Sequence, residues 1–460
     1  MSDWSQGYPT DSAYIDAVQV EINPWRWQQS MLFANRACPS PSGRFRFLEL
    51  GCGSAMTLIA LAACYPQAEF VGYDFMPEHI VMANRLIREV GLTNIEVREG
   101  SFAEMVAAGT SERFDFAAAH GVWAWVPPEV RGEIVQVLNG WMATGSVTYF
   151  GYNAAAGWAA AAPIRQIFRR APRGRGERPF AAARAGVEEW LKQMGDMAPQ
   201  ARVLWEKLKT APDHFLAHEI ASDFGTGIWL EEIAGPLAEA KMEFAGPAVL
   251  AEHMDALFLE DEGVAFLRQA VDEGWGETAR DLLHRRTFRN DLFHRGAPGA
   301  TAQALVGHMR GMRVVPWDEE LQLGTHPSVY GQLKRGLDER VADGLQELTA
   351  GGDATFGTCM DAIGADPMHS FQAVMMALVS GTLLDLRPGA EVEAAQEGCD
   401  RFNAAMMARL RRGGHAPGFA SPALGGCVQF GRKEDRDVVL GETQDPRLMA
   451  RLETLGVRLG

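Results

Sequence analysis

A short glycine-containing loop follows the first strongly apolar run of the chain. We predict a strand at Phe45–Leu50 and a helix at Ala55–Cys64, with the loop as the turn between them. The loop residues that could contact a ligand are Glu49, Gly51, Cys52 and Gly53. Glycines at a strand-to-helix turn permit tight backbone geometry and let a ligand approach the main chain closely. The spacing predicts a binding loop for a nucleotide-like ligand, in which Cys52 is better explained as a small spacer than as a nucleophile.

A carboxylate stands at the end of the second predicted strand, Phe70–Tyr73. Asp74 follows that strand directly, and a predicted helix at Pro77–Val90 begins shortly afterwards, opened by proline and ended by Gly91. From this position an acidic side chain can accept hydrogen bonds from both hydroxyls of a ribose. The alternative is that Asp74 is a turn residue or a helix cap.

Polar and aromatic residues also follow the later predicted strands. His120 follows Phe114–Ala119, and Tyr152 and Asn153 follow Ser146–Phe150. Because the carboxyl ends of strands line the ligand crevice of an open α/β sheet, we expect these side chains near the same ligand. A histidine that fixes the backbone in the core is the alternative for His120. Three tryptophans predict either an aromatic wall for a cationic or aliphatic substrate or part of the core, namely Trp123, Trp125 and Trp158.

The first third of the sequence alternates short apolar runs with amphipathic helical stretches, which is typical of βαβ units and a parallel sheet. After this third the pattern becomes helical, and RRAPRGRGERP at 169–179 predicts an exposed, mobile connection. A strand at Phe215–Ile220, a helix at 228–241 and a strand at Met242–Ala245 are predicted to complete the sheet. Within the first of these strands, His218 is expected to be structural, as is His214 just before it.

A basic stretch at 284–295 contains four arginines and two histidines. We predict that it is helical and that its arginines form a solvated face paired with the protein's own carboxylates. The arginines are Arg285, Arg286, Arg289 and Arg295.

The composition limits the classes of partner. The chain has 460 residues, a net charge of −16 and 47% hydrophobic residues, so two or three globular domains are expected. The negative charge argues against nucleic acid and membranes as partners, because its field repels phosphate. We expect a cytoplasmic protein, since no apolar run approaches the roughly 18 residues of a membrane span and the first residues lack signal-peptide features. Six scattered cysteines without a CxxC spacing predict neither a disulfide scaffold nor a metal site.

The loop and the strand ends resemble the motifs of class I S-adenosylmethionine-dependent methyltransferases. ELGCGSA is similar to their first motif, VGYDF to their second and REGSF to their third. The resemblance implies S-adenosyl-L-methionine as the cofactor, with Asp74 on its ribose and an N-terminal flap over it. The implied cofactor-binding residues are Tyr14, Glu49, Gly51, Cys52, Gly53, Asp74, Phe75, Ser101, Phe102 and His120. A nicotinamide dehydrogenase is the rival interpretation, but such enzymes normally have a third glycine where this chain has Ala55.

A wider set of motifs resembles one bacterial family of methyltransferases that carry a methyltransferase regulatory domain. The resemblance covers roughly residues 1–300 and rests on INP, YDFMPEHI, HGVWAWVP, GYNAAAGW, LAHEI and FRNDLFHR, whereas DFGTGIWLEEI departs from the pattern. The family includes protein-lysine methyltransferases that modify bacterial outer-membrane proteins. It implies a protein substrate methylated at lysine and a homodimer built through the middle helices. The alternatives are an enzyme for a small molecule or surface-glycan precursor, and a non-catalytic cofactor-binding regulator.

Methyl transfer to an amine requires a neutral nitrogen that approaches the sulfonium methyl in line. A lysine side chain has an unperturbed pKa of about 10.4 and must lose a proton first. His120, Tyr152, water or a further residue can accept that proton, and the sequence leaves these alternatives open. Asn153 is the candidate for orienting the nucleophile by hydrogen bonding.

The expected fold is α/β, a Rossmann-like class I methyltransferase sheet with inserted helices followed by mainly helical domains. A winged-helix-like module is suggested at Tyr330–Arg387. The predicted units are a cofactor-binding core at 1–165, an inserted helical lid at 166–205, the completion of the sheet at 206–250, a helical regulatory or dimerisation region at 251–300 and a C-terminal substrate or interaction domain at 301–460. More than 200 residues then serve neither cofactor nor sheet, which favours a large substrate.

Overall fold

The computed structural model describes residues 16–172, 180–222, 224–317, 334, 336–352, 354–429, 437–441 and 445–459. The flap with Tyr14 lies outside the described residues, as does most of the connection predicted at 169–179. Within the described ranges, no helix is both long enough and apolar enough to cross a membrane.

Seven strands of the described chain form one mixed sheet in the order β3-β2-β1-β4-β5-β7-β6. They are β1 (Arg46–Leu50), β2 (Glu69–Asp74), β3 (Ile95–Glu99), β4 (Phe114–His120), β5 (Met142–Asn153), β6 (Glu243–Pro247) and β7 (Phe288–His294). Strands β1 to β5 are parallel, and β7 runs antiparallel between β5 and β6. The order reverses between β1 and β4, so the loops after these strands border the ligand crevice. The predicted Rossmann-like α/β sheet is confirmed.

Helices cover both faces of the sheet and build much of the remaining chain. In chain order they are α1 (Pro24–Phe33), α2 (Met56–Cys64), α3 (Pro77–Val90), α4 (Phe102–Ala108), α5 (Pro128–Trp141), α6 (Ala155–Trp158), α7 (Ala162–Arg170), α8 (Ala181–Met194), α9 (Pro199–Leu208), α10 (Asp213–Glu219), α11 (Leu230–Glu239), α12 (Asp261–Asp272), α13 (Gly276–His284), α14 (Ala302–Arg310), α15 (Glu339–Thr349), α16 (Phe356–Ile363), α17 (Pro367–Val379), α18 (Gly389–Arg411) and α19 (Pro446–Thr454). Short antiparallel pairs join β8 (Arg313–Pro316) to β9 (Leu383–Leu386) and β10 (Phe419–Ser421) to β11 (Gly426–Val428).

Each face of the sheet has its own apolar core. On one face, Leu58 of α2 is fully buried together with Phe402 and Met406 of the C-terminal helix α18. On the other face, Leu138 of α5 and Ile233 of α11 are fully buried. The C-terminal part of the chain from α18 onwards therefore shares a core with the first helix of the sheet. This continuity was not expected from the predicted unit at 301–460.

Two smaller apolar cores organise the inserted and C-terminal helices. Helices α7 to α10 surround Phe168, Trp205 and Leu216, in the region that includes the predicted lid. Helices α14 to α17 and the β8–β9 pair surround Phe356 and Val374. The winged-helix-like character of this last group stays a prediction, as do the other domain boundaries.

Two expectations about the completion of the sheet are wrong. The segment predicted as a strand at Phe215–Ile220 belongs to α10, because the buried Leu216 and Ile220 are four residues apart and share one helical face. The strand that pairs with β5 comes instead from β7, inside the region predicted as helical at 251–300. The sequence did not predict β7 as a strand, because its residues lack the alternation of apolar and polar side chains that marks a half-buried strand. Almost all of its residues are buried, including the charged ones.

Two of the four arginines predicted to form a solvated face, Arg286 and Arg289, are buried beside β7, whereas Arg285 is exposed. Arg289 is fully buried, and its guanidinium contacts Asp291 at 2.7 Å, Asp281 at 2.6 Å and Glu277 at 2.8 Å. Arg286 is also buried and lies 3.2 Å from a carboxylate oxygen of Glu252. The pairing with carboxylates is as expected, but the solvated helix is wrong. Buried charges in such a network require every partner, since each lost partner leaves an uncompensated charge.

We predict that Arg289→Met lowers the free energy of unfolding by about 3–5 kcal/mol, because the fully buried Asp291 would lose the guanidinium with which it pairs. Asp281 and Glu277 would each lose one of their ion-pair partners. Urea unfolding followed by near-ultraviolet circular dichroism measures the loss. The matched control is Arg401→Met, which removes an exposed pair with Glu397 on α18 and should cost about 0.5 kcal/mol or less. Equal losses for the two variants would contradict the prediction.

Candidate active site

The loop after β1 needs glycine for two physical reasons. Gly51 has φ of +68° and Gly53 has φ of +54°, in the left-handed region that glycine adopts without strain. A Cβ on Gly51 would lie 2.7 Å from Val122 Cγ2. The Gly51 and Cys52 N–H groups both donate to the Tyr73 carbonyl, at 2.8 and 3.0 Å. The loop is thereby held against the end of β2.

Asp74 connects this loop to the start of α3. Its carboxylate accepts hydrogen bonds from the Gly53 N–H at 2.8 Å and the Met76 N–H at 2.9 Å. His79 Nδ1 lies 3.0 Å from the same carboxylate. These bonds fix the carboxylate at the tip of β2, where the ribose of the expected cofactor would be held.

Glu49 places a second carboxylate beneath the loop. Burial and the neighbouring Asp74 raise the pKa of Glu49 to about 8. Among the described residues its Oε2 atom is buried and has no hydrogen-bond partner. A cationic ligand would relieve this desolvation. The orphaned carboxylate, the ribose-facing Asp74 and the close backbone approach at Gly51 together fit S-adenosylmethionine.

One cavity of about 190 Å³ joins these features. It holds on the order of a dozen water molecules and therefore suits an organic ligand better than a single ion. Of the predicted cofactor-binding residues, it is lined by Glu49, Gly51, Cys52, Gly53, Asp74, Phe75, Ser101, Phe102 and His120. Ser101 is also the N-cap of α4, where its hydroxyl accepts from the Glu104 N–H at 3.2 Å.

His120 is the nitrogen-bearing side chain at the end of β4. Its Nδ1 lies 2.9 Å from the Tyr149 hydroxyl, which donates to Asn290 Oδ1 at 2.7 Å. Because the hydroxyl has only one proton to give, His120 Nδ1 must donate to the Tyr149 oxygen, and Nε2 keeps its lone pair. Burial lowers the pKa of His120 to about 4, so the ring is neutral at pH 7. A Cβ on Gly151 would lie 2.5 Å from Nδ1, so this pair also requires glycine on β5.

The N-terminal segment closes one side of the cavity. Ala17 and Gln19 line it, and the Gln19 N–H donates to Thr57 Oγ1 of α2 at 3.0 Å. Ser54 of the loop donates to Asp16 at 2.6 Å, and Asp16 pairs with Arg409 of α18 at 3.2 Å. Helix α18 is therefore linked to the cofactor loop through the carboxylate of Asp16.

Several predicted site residues do not line this cavity. Tyr152 is fully buried, and its hydroxyl donates to Asp291 at 2.5 Å in the ion network beside β7. Burial raises the pKa of Tyr152 well above its usual value, so its hydroxyl is a neutral phenol at pH 7. Asn153 is buried and does not line the cavity, and its backbone carbonyl accepts from the Ile228 N–H at 2.8 Å. Trp123 is core, Trp158 lies outside the cavity lining, and only Trp125 of the three tryptophans lines the cavity.

Sequence reasoning missed the residues that line the cavity from α10 and the segment after it. These are His218, Glu219, Ser222 and Phe224. The LAHEI motif was the available signal, but its assignment to a strand placed it in the sheet. Val130 and Glu133 of α5 were missed as well.

We predict that Asp74→Ala weakens S-adenosylmethionine binding about 10- to 100-fold, because charged hydrogen bonds contribute roughly 1.5–3 kcal/mol. Isothermal titration calorimetry measures the change in Kd. Glu99→Ala is the matched control, since Glu99 is the exposed β3 residue in register with Asp74 and does not line the cavity. Unchanged binding by Asp74→Ala would refute the assignment.

We predict that His120 is the Nδ1-protonated tautomer and stays neutral between pH 5 and 8, because burial depresses its pKa to about 4. Nitrogen-15 chemical shifts of protein labelled at histidine report both the tautomer and the protonation state. The His120→Asn variant identifies the His120 resonance by its disappearance. Tyr149→Phe should abolish the single tautomer because the proton acceptor is lost. Protonation of His120 near pH 6.5, its unperturbed value, would contradict the argument.

Comparisons with known proteins agree with this geometry. A methyltransferase domain model matches residues 42–145, and a model described as a predicted methyltransferase regulatory domain matches residues 212–295. An uncharacterised protein of Synechocystis sp. is 28% identical over 445 residues, which cover 94% of this chain and 87% of that protein.

Solved structures share the fold over almost the whole chain. The structure of PKMT2 from Rickettsia typhi has a TM-score of 0.68 at 15% identity, covering 96% of this chain and 92% of that one. Its complex with AdoHcy has a TM-score of 0.67 at 16% identity, covering 97% and 92%. The domain matches, the shared fold and the cavity lead to one conclusion. The chain is a class I S-adenosylmethionine-dependent methyltransferase that carries a methyltransferase regulatory domain.

Proposed function

We propose that this methyltransferase transfers methyl groups to lysine side chains of a protein substrate. The observation that carries the proposal is the composition of the cavity beyond the cofactor loop. Its wall there combines aromatic Trp125 and Phe224 with the carboxylates of Glu133 and Glu219. Aromatic faces and carboxylates together suit a long aliphatic side chain that ends in a cation.

His120 fits the chemistry of an amine acceptor. S-adenosylmethionine supplies an electrophilic methyl group on its sulfonium. The lone pair on His120 Nε2 can accept a hydrogen bond from an amine N–H and so orient the nitrogen lone pair away from itself. A pKa of about 4 makes His120 a poor proton acceptor for an ammonium group, so its proposed role is orientation.

The size of the chain supports a macromolecular substrate. Helices α14 to α17 contribute to neither the sheet nor the described cavity lining, which leaves them for contacts with a substrate outside the cavity. The name PKMT2 of the Rickettsia typhi proteins is consistent with this proposal. A small metabolite would require no such additional surface.

The experiment is methylation of a library of single-lysine peptides and of intact bacterial proteins by the purified enzyme with S-adenosylmethionine. Tandem mass spectrometry should place the added methyl on lysine Nε. The same proteins with reductively dimethylated lysines are the matched control and should accept far less methyl, because their nitrogens are already substituted. Asp74→Ala serves as the cofactor-binding control. Products only on carboxyl, hydroxyl or sugar groups, or only on small molecules, would overturn the proposal.

A further inference from the structure

We propose that Glu219 binds the substrate ammonium group in the cavity and accepts its proton before methyl transfer. This role rests on the proposed function, since it requires a cationic amine as the acceptor. It assigns the proton acceptor to the residues matched by the regulatory domain model, which begin at 212.

Glu219 is placed by a rigid backbone. The Arg165 guanidinium of α7 donates to the carbonyls of Glu219 at 2.5 Å, Ser222 at 3.1 Å and Phe224 at 2.5 Å. Arg165 itself is 6% exposed, so these bonds are shielded from water. The end of α10 and the segment after it are thereby fixed along the cavity wall.

The Glu219 carboxylate lacks the hydrogen bonds that Asp74 and Glu133 have in the same cavity. Among the described residues it has no hydrogen bond or ion pair, whereas Asp74 accepts from Gly53 and Met76. Glu133 accepts from the Ala103 backbone. A carboxylate that is partly removed from water and unpaired is an unsatisfied acceptor, and a cation is the partner that compensates it best.

The aromatic neighbours of Glu219 complete a site for an alkylammonium group. Trp125 and Phe224 line the same cavity. The Trp125 ring is held close to the backbone at Gly225, where an added Cβ would lie 2.2 Å from the ring. Aromatic walls can contact the methylene stem of a lysine while the carboxylate contacts its nitrogen.

The ionisation of the cavity residues favours Glu219 over His120 as the proton acceptor. Burial raises the pKa of Glu219 to about 7, and the charge of Arg165 opposes this rise. Burial lowers the pKa of His120 to about 4. A lysine ammonium with a pKa of about 10.4 therefore loses its proton less unfavourably to Glu219 than to His120.

The Glu219 carboxylate takes one proton from the ammonium and becomes a carboxylic acid, which leaves a neutral amine. The nitrogen lone pair forms the N–C bond while the electrons of the S–C bond remain on sulfur, yielding S-adenosylhomocysteine and a methylammonium product. Exchange of the Glu219 proton with water restores the carboxylate for the next cycle.

The charged and titratable groups around Glu219 come from four elements. Arg165 extends from α7, and His218 precedes Glu219 on α10. His120 at the end of β4 and Glu133 of α5 line the same cavity. Since Glu219 must be ionised to act, kcat/KM of the wild type should rise with pH and level off near 7.

The test compares Glu219→Gln with the wild type on the single-lysine peptide that the wild type methylates best. We expect kcat/KM at pH 7 to fall at least about 100-fold, because a positioned acid or base typically contributes about 10²- to 10⁴-fold. Binding of S-adenosylmethionine, measured by calorimetry, should stay within about twofold of the wild type, which also shows that the variant folds. The levelling near pH 7 should disappear, and the rate should keep rising as free amine accumulates.

Glu239→Gln is the matched control, since it removes an exposed carboxylate at the end of α11 that does not line the cavity. It should change kcat/KM by no more than about threefold and retain the levelling near pH 7. A Glu219→Gln variant with an unchanged rate and pH profile would overturn the role of Glu219 and leave the proposed function intact. A wild type that methylates another kind of acceptor and no lysine would overturn the proposed function, and this role with it.

Discussion

The position of β7 is the constraint on which both the sheet and the active site depend. One face of the strand carries Arg289 and Asp291 into the buried ion network. The opposite face presents Asn290 to the Tyr149 hydroxyl, which accepts from His120. A shift of one residue in the pairing of β7 with β5 would exchange these faces. The ion network therefore fixes the register, and the register fixes the tautomer of a residue in the cavity.

This arrangement explains why the regulatory domain cannot be an independent attachment. The residues matched by its model, 212–295, contain α10, β6 and β7. They supply the last two strands of the sheet and the Glu219 side chain in the cavity. They also supply Asn290, which accepts the proton of the Tyr149 hydroxyl and so orients the hydrogen bond between Tyr149 and His120. The matched methyltransferase domain, 42–145, supplies the cofactor loop and Asp74 but ends before β5 is complete. The active site belongs to both parts.

The C-terminal chain is connected to the cofactor loop by packing and by charge. α18 packs on α2, and an added Cβ on Gly398 would lie 2.6 Å from the Ala63 carbonyl oxygen, so the two helices are in close contact. Asp16 links Ser54 of the loop to Arg409 of the same helix. A change in α18 would be transmitted to the loop through these contacts, because close-packed interiors transmit strain.

The parts of the structure that the sequence predicted well are those in which local pattern and burial agree. Strands β1, β2 and β4 follow apolar runs that end before glycine or a polar residue, and their ends match the predictions to within one residue. The cavity residues from these loops were therefore named correctly as neighbours. β7 and α10 were missed because their burial depends on distant partners, the ion network for Arg289 and the α7 to α10 core for Leu216. Tyr152 was misplaced because both faces of β5 are buried, so alternation alone does not show which face borders the ligand.

The carboxylates of the cavity match the positive charges that methyl transfer to an amine would bring into it. The cofactor would bring a sulfonium, and the proposed ammonium substrate would bring a second positive charge into the same confined space. The pKa of Glu49 is raised to about 8 and that of Glu219 to about 7. A nearby cation would lower both pKa values, so both carboxylates would ionise more fully when the cations bind. After transfer the sulfur is neutral, and the positive charge resides on the methylated nitrogen. Any attraction between Glu49 and the sulfonium would be lost at that point, which would favour departure of S-adenosylhomocysteine over renewed binding. The cavity carboxylates thus favour cationic ligands.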